Sequence, residues 1–157
     1  MPKPILKDNN LVSLIEDNIN LVKELDNNIL IEFNTNINRV ILNSDNEQLS
    51  RVFLNLIKNS IESIQEKKLI NLDFRANINI SLIDNLSDID FVIIDNGIGF
   101  EKFNDNIKDI LNPYFTTKKQ GTGLGLAIVN KIINDHNGSI KFIPIEDGAK
   151  IKIKFMK

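Results

Sequence analysis

Between its helices this chain places strands in pairs, and that order excludes most α/β architectures. Leu11, Leu14, Ile15, Ile19, Val22 and Leu25 recur at helical spacing and predict a helix over about 11–26. Residues 29–33 and 39–42 are short β-rich runs. A second helix opens in Ser44-Asp45-Asn46-Glu47-Gln48, where two capping boxes overlap, Ser44 with Glu47 and Asp45 with Gln48. Its apolar stripe of Leu49, Val52, Phe53, Leu56, Ile57 and Ile64 carries it to about Lys67. Residues 77–83 and 90–94 then read as strands. After a long connection over 96–120, a third helix covers about 124–135 and ends at Asn137-Gly138, a left-handed C-cap pair. Residues 139–143 and 149–155 alternate as strands joined through Asp147-Gly148, a hairpin signal. A doubly wound parallel sheet needs single strands alternating with helices. The paired strands instead predict an α+β fold, with a mixed, mostly antiparallel sheet and helices on one face.

A length of 157 residues fits one domain, and no internal repeat is visible. A net charge of −2 gives no general attraction to nucleic acid or to an anionic membrane. The absence of cysteine excludes disulfides, thiolate catalysis and Cys-based zinc, and one histidine cannot build a His-rich metal site. No apolar run approaches the roughly 20 residues of a membrane helix, and no signal-peptide pattern opens the chain. The expectation is a cytoplasmic chain with no membrane contact of its own. Its many asparagines are interleaved with periodic apolar positions, which fits codon bias better than a prion-like segment.

Four patterns carry chemistry. In Phe91-Val92-Ile93-Ile94-Asp95, an apolar strand delivers an acid at its end, where a carboxylate can accept a hydrogen bond from the exocyclic amine of adenine. Gly97 and Gly99 lack a Cβ and let the backbone approach a ring closely. An Asx-type turn closing the strand is the plainer alternative. Gly121-Thr122-Gly123-Leu124-Gly125-Leu126 opens a helix, so its free N–H groups and positive dipole end suit phosphate. It lacks the Gly-Lys-Ser/Thr ending of a Walker A loop, and it follows a long connection rather than a first strand, unlike a Rossmann turn. Close helix–sheet packing is its alternative. Asn55 and Asn59, spaced i, i+4, place two amides on one helical face, where their oxygens are suitable hard ligands for Mg²⁺. Solvated asparagines are the alternative there. The connection over 96–120 is of lid or binding-loop length. It contains Asn112-Pro113-Tyr114-Phe115-Thr116-Thr117-Lys118, in which Phe115 could anchor a lid and the hydroxyls and Lys118 could meet phosphates.

In this order, over about 11–155, the four patterns resemble the N, G1, F and G2 boxes of the ATP-binding catalytic domain of sensor histidine kinases. That domain belongs to the wider gyrase, chaperone, MutL and histidine-kinase (GHKL) superfamily. The wording of Asn55-Leu-Ile-Lys-Asn-Ser-Ile-Glu-Ser-Ile and Pro113-Tyr-Phe-Thr-Thr-Lys is most similar to the nitrogen-regulation sensors of NtrB/NtrY type. The resemblance implies a two-layer α/β sandwich, the Bergerat fold, with ATP under a lid at about 100–120. Asp95 would hold adenine, with Gly97 and Gly99 beside it. Asn59 with Asn55 would hold Mg²⁺, Lys118 would act on the phosphates, and Phe115, Thr116 and Thr117 would line the lid. Gly121, Thr122, Gly123, Leu124, Gly125 and Leu126 would form the phosphate turn. The implied reaction is γ-phosphoryl transfer to a histidine nitrogen, driven by positioning and charge neutralisation.

Two departures stand out. The family's cation and aromatic, three and four residues after Asn59, are Glu62 and Ser63 here, so Glu62 is expected to face water and Lys58 or Lys118 to supply positive charge. Leu111 replaces the usual Phe before Asn112-Pro113. The resemblance also implies a phosphoacceptor histidine on a separate dimerisation hairpin, and His136, at a helix C-terminus, does not match it. Residues 1–10 then read as a linker or leading strand from that hairpin, and 11–157 as a catalytic domain. Such a chain is expected to be a monomer, to bind ATP, to fail to autophosphorylate, and to serve a downstream response regulator within a parent often anchored in the inner membrane. The rivals are a gyrase-type ATPase, a stand-alone serine kinase of anti-sigma type, and a non-catalytic nucleotide- or partner-binding module. The first two tend to carry glutamate where Asn55 stands, and an amide cannot take a proton from water.

Overall fold

The computed structural model describes residues 2–25, 28–99 and 125–157. Its elements run β1 (Lys7–Asn10), α1 (Leu11–Leu25), β2 (Leu30–Thr35), β3 (Ile41–Ser44), α2 (Asn46–Ile70), β4 (Asn77–Asp84), β5 (Asp88–Asp95), α3 (Gly125–Asp135), β6 (Gly138–Ile145) and β7 (Gly148–Met156). Five strands form one sheet in the order β2-β4-β5-β7-β6, with β2–β4 parallel and the other pairs antiparallel. The mixed, mostly antiparallel sheet is the one expected.

Period-2 alternation gives the sheet two unlike faces. Ile78, Ile80 and Leu82 of β4, Ile89, Phe91 and Ile93 of β5, and Ile151, Ile153 and Phe155 of β7 are buried in one core with the apolar stripes of the helices. The stripes are Leu11, Ile15, Ile19 and Val22 of α1, Leu49, Val52, Phe53, Leu56, Ile57 and Ile64 of α2, and Val129, Ile132 and Ile133 of α3. Phe53 and Phe91 join the two layers, their ring centroids 4.9 Å apart. The opposite face carries the lysines of β7 beside the acids of β5, with Lys154 Nζ 3.0 Å from Asp90 Oδ1 and 3.2 Å from Asp88 Oδ2. Such exposed pairs add little stability and mainly keep this face wetted.

One pairing differs from the simple reading. β2 and β3 are consecutive yet do not form a hairpin. β3 pairs antiparallel with β1 in a separate two-stranded sheet, and residues 7–10 are thereby part of the folded unit. Asparagine side chains direct this. Asn10 Oδ1 accepts the Val40 N–H at 3.1 Å and fixes the approach to β3 beside β1. Asn36 donates to Asp84 O at 3.1 Å and accepts from Asp84 N–H at 3.0 Å, fastening the end of β2 to the end of β4. α2 is then the long crossover a parallel pair requires. It runs to Ile70, three residues beyond the expected end, where the Asn71 N–H still reaches Lys67 O.

Candidate functional site

Alternation along β5 turns Asp95 to the same side as Ile89, Phe91 and Ile93, so the strand ends by placing a carboxylate beneath α2, 6% exposed. The Gly97 N–H donates to Asp95 Oδ1 at 2.9 Å. Burial pushes this carboxyl above its ordinary range, and the Gly97 N–H, the Ser60 hydroxyl and the charge of Lys67 oppose that rise.

The turn after Asp95 is laid along α2. Asn55, Asn59, Ser63 and Lys67 recur every four residues and so share one face of that helix. The Ile98 N–H lies 3.0 Å from Ser63 Oγ and 3.3 Å from Ser63 O. Lys67 Nζ donates to Asn96 O at 2.8 Å and stands 4.6 Å over the Phe74 ring. The Asn96 side chain ties the same turn to the start of β4, accepting from Asn77 N–H at 2.9 Å and donating to Arg75 O at 2.6 Å.

Glycine is required here for contact rather than for looseness. A Cβ at Gly97 would lie 2.7 Å from the Ser63 backbone carbon. Gly99 adopts φ +74°, a left-handed conformation that disfavours other residues, and a Cβ there would collide with Gly148 O. A Cβ on Gly148, the first residue of β7, would in turn collide with Asp95 O. At the other end of the stripe, a Cβ on Gly125 would lie 3.0 Å from both amide atoms of Asn55. Asn59 Nδ2 donates to Asn55 Oδ1 at 3.1 Å, joining the two amides.

The polar stripe of α2 therefore runs from the buried acid at one end to the start of α3 at the other. A family model, "Histidine kinase-, DNA gyrase B-, and HSP90-like ATPase", matches residues 44–157. This chain belongs to that family. It is 33% identical over 156 residues to a putative NtrY-like sensor histidine kinase of Rickettsia bellii, covering 99% of this chain and 24% of the relative. It is 36% identical over 142 residues to the sensor histidine kinase ZraS of Salmonella typhimurium, covering 87% of this chain and 28% of the relative. The chain thus spans about a quarter of the length of these relatives. The nucleotide-free catalytic domain of histidine kinase ThkA superposes with a TM-score of 0.82 at 29% identity, covering 98% of this chain and 96% of that one. A structure of ThkA in complex with the response regulator protein TrrA superposes at 0.76 with 26% identity, covering 97% of this chain and 42% of that one. The matched domain is thus of the GHKL ATPase type and similar to the catalytic domains of sensor histidine kinases, and ATP is the nucleotide its family implies.

Of the residues singled out in the sequence, Asp95, Gly97 and Gly99 gather at one end of the α2 stripe and Asn55, Asn59 and Gly125 at the other. Leu126 is half-buried against the core and anchors the first turn of α3. Phe115, Thr116, Thr117, Lys118, Gly121, Thr122, Gly123 and Leu124 lie outside the described residues, as does the lid to which they were assigned. Glu62 is half-buried, with Oε2 withdrawn from solvent, and so is not turned fully to water as expected. Lys58 is exposed.

Ser60, Ser63, Lys67, Asn96 and Gly148 are site-building residues that the motifs alone did not expose. The four-residue repeat from Asn55 to Lys67 was the available signal, since Ser63 reads as a lost aromatic only until its position on that face is considered. Among the described residues, no three His, Cys, Asp or Glu side chains gather as a metal site, and no helix is long and apolar enough to cross a membrane.

Proposed function

We propose that this chain binds ATP with Mg²⁺ and is the catalytic half of a histidine kinase, passing the γ-phosphoryl group to a histidine carried on a separate dimerisation hairpin. The observation that carries this reading is the stripe Asn55-Asn59-Ser63-Lys67, which spans from Asp95 to the first residue of α3. Asp95 accepts the exocyclic amine of adenine. Gly97 and Gly99 bring the turn against the ring. The first turn of α3 offers its N–H groups to the phosphates, and Gly121, Thr122, Gly123 and Leu124 are assigned to the same phosphate contact as Gly125 and Leu126.

Without a carboxylate cluster among the described residues, the divalent ion falls to amide oxygen, water and phosphate, a donor set that suits Mg²⁺. Asn59 offers the oxygen, and Asn55 orients it by accepting the Asn59 amide N–H. An ion held there by Asn59 would supply neutralisation of phosphate charge during transfer. Phe115, Thr116, Thr117 and Lys118 are assigned to contacts with the nucleotide, Lys118 as a cation for the transferred group. Asn55 cannot act as general base, so water is a poor acceptor and hydrolysis is slow.

The partners are the phosphoacceptor hairpin and a downstream response regulator, and the domain alone is a monomer that does not autophosphorylate. The similarity to a kinase solved with its response regulator supports the second partner. The test supplies a phosphoacceptor hairpin from an NtrY-like relative with γ-labelled ATP. Label on the hairpin histidine, dependent on Mg²⁺ and lost in Asn59→Ala, is expected. Rapid release of inorganic phosphate without labelled hairpin would overturn the reading in favour of an ATPase.

A further inference from the structure

Among the described residues, His136 is the one buried titratable side chain outside the site, 6% exposed, and its two ring nitrogens face two different helices. Nε2 lies 3.1 Å from the Asp45 backbone N–H, which can only donate, so Nε2 is the acceptor. Nδ1 then carries the proton and donates to Ile132 O at 2.8 Å. Asp45 is the N-cap of α2, and its Oδ1 accepts the Gln48 N–H at 3.1 Å. A full capping box would have Gln48 reach back to the Asp45 N–H. Instead Gln48 Nε2 donates to Pro2 O at 3.0 Å, and His136, 91 residues away, takes the Asp45 N–H.

We infer that His136 and Asp45 are positioning residues for the nucleotide site, fixing how far α3 slides along α2 and hence where Gly125 stands against Asn55. The spacing supports this. From Asp45 to Asn55 is ten residues and from Gly125 to His136 eleven, so at about 1.5 Å per residue both helices span roughly 15–16 Å between the same two contacts. The helices are antiparallel and fastened at both ends. Asp45 Oδ2 also accepts the Ile5 N–H at 2.8 Å, so the segment leading into the domain is held at the same point.

This inference rests on the proposed reading of the first turn of α3 as the phosphate end of the site, and the test separates the two. His136→Leu removes both ring contacts. His136→Gln restores an acceptor for the Asp45 N–H. Mg-ATP and adenosine affinities are measured for each at a temperature where all variants are folded, together with the Asn55 side-chain amide resonances without ligand. Mg-ATP affinity is expected to fall about tenfold in His136→Leu, as for loss of a supporting partner at a metal site. It should return in His136→Gln, with adenosine affinity unchanged because Asp95 is not on α3. Equal loss of both ligands, or unmoved Asn55 resonances in His136→Leu, would overturn the inference. Shifted Asn55 resonances in a protein that binds no ATP would uphold it and reject the functional reading. If His136→Leu fails to fold, His136→Asn, which reaches only Ile132 O, is read in the same way.

Discussion

Gly125 and Asn55 meet where α3 begins: a Cβ on the glycine would stand 3.0 Å from both the oxygen and the nitrogen of the asparagine amide. The same amide oxygen receives the Asn59 N–H, so an added methyl disturbs both asparagines. Gly125→Ala is expected to weaken Mg-ATP binding several-fold while the midpoint of thermal unfolding changes little, because alanine favours the helix as it crowds the amide. Calorimetric titration beside a thermal melt checks this. Unchanged affinity would mean Asn55 can give way freely.

Gly148, at the start of β7, predicts a loss of a different kind. A Cβ there would overlap Asp95 O, a backbone atom that cannot swing aside. Gly148→Ala should cost about 1–3 kcal/mol as an overpacking change, and each kcal/mol lowers the melting midpoint by about 2–4 °C in a domain of this size. Mg-ATP binding should fall with it, because the displaced strand end carries Asp95, the proposed adenine acceptor.

Asp95 makes stability fall as pH rises. Burial raises its carboxyl above the ordinary 3.8, so the folded chain keeps a proton that the unfolded chain has released. Over that window the unfolded state binds fewer protons, and unfolding becomes easier as pH climbs from about 3.8 through the folded value. Asp95→Asn should remove this contribution, leaving the ligand-free domain as stable or more stable at neutral pH, while Mg-ATP binding is lost. Denaturant unfolding at several pH values reads the first effect, and titration reads the second.

Asp45 works in the opposite direction. Its carboxyl is held below 3.8, first by the Ile5 N–H, which outweighs the opposing cost of burial, and further by the Gln48 N–H. The stability it confers is present above 3.8 and is lost as pH falls through the folded value. Asp45→Ala should cost about 1 kcal/mol at neutral pH as a lost helix cap, and the gap between variant and wild type should close on acidification. A gap that persists in acid would assign the loss to packing rather than to charge.

The sequence displayed the strands and the ends of the site better than the pairing and the middle. Period-2 apolar runs made β4, β5 and β7 plain, and Asp95 followed from its place at the end of one of them. β3 was recognisable as a strand, but its partner was not, because Asn10 and Asn36 decide the pairing and asparagine is everywhere in this chain. Ser63 and Lys67 sat in plain view at i+4 steps from Asn55 and Asn59. Motif spacing does not mark their role, because their contacts are to the backbone of Asn96 and Ile98. His136 read as a residue at a helix end, since its bond to Asp45 crosses 91 residues. Helix α2 outlasted its apolar stripe because Lys67 and Phe74 hold its last turn.

The measurement that bears most directly on the proposed function is thermal unfolding titrated with ATP, with and without Mg²⁺, beside GTP and the Asp95→Ala variant. Ligand at a hundredfold over its dissociation constant stabilises a fold by about 2.7 kcal/mol, a rise of several degrees for a domain of this length. The account predicts that rise with ATP and Mg²⁺, a weak one with GTP, and none in the variant. No rise at millimolar ATP, or an equal rise in Asp95→Ala, would contradict it.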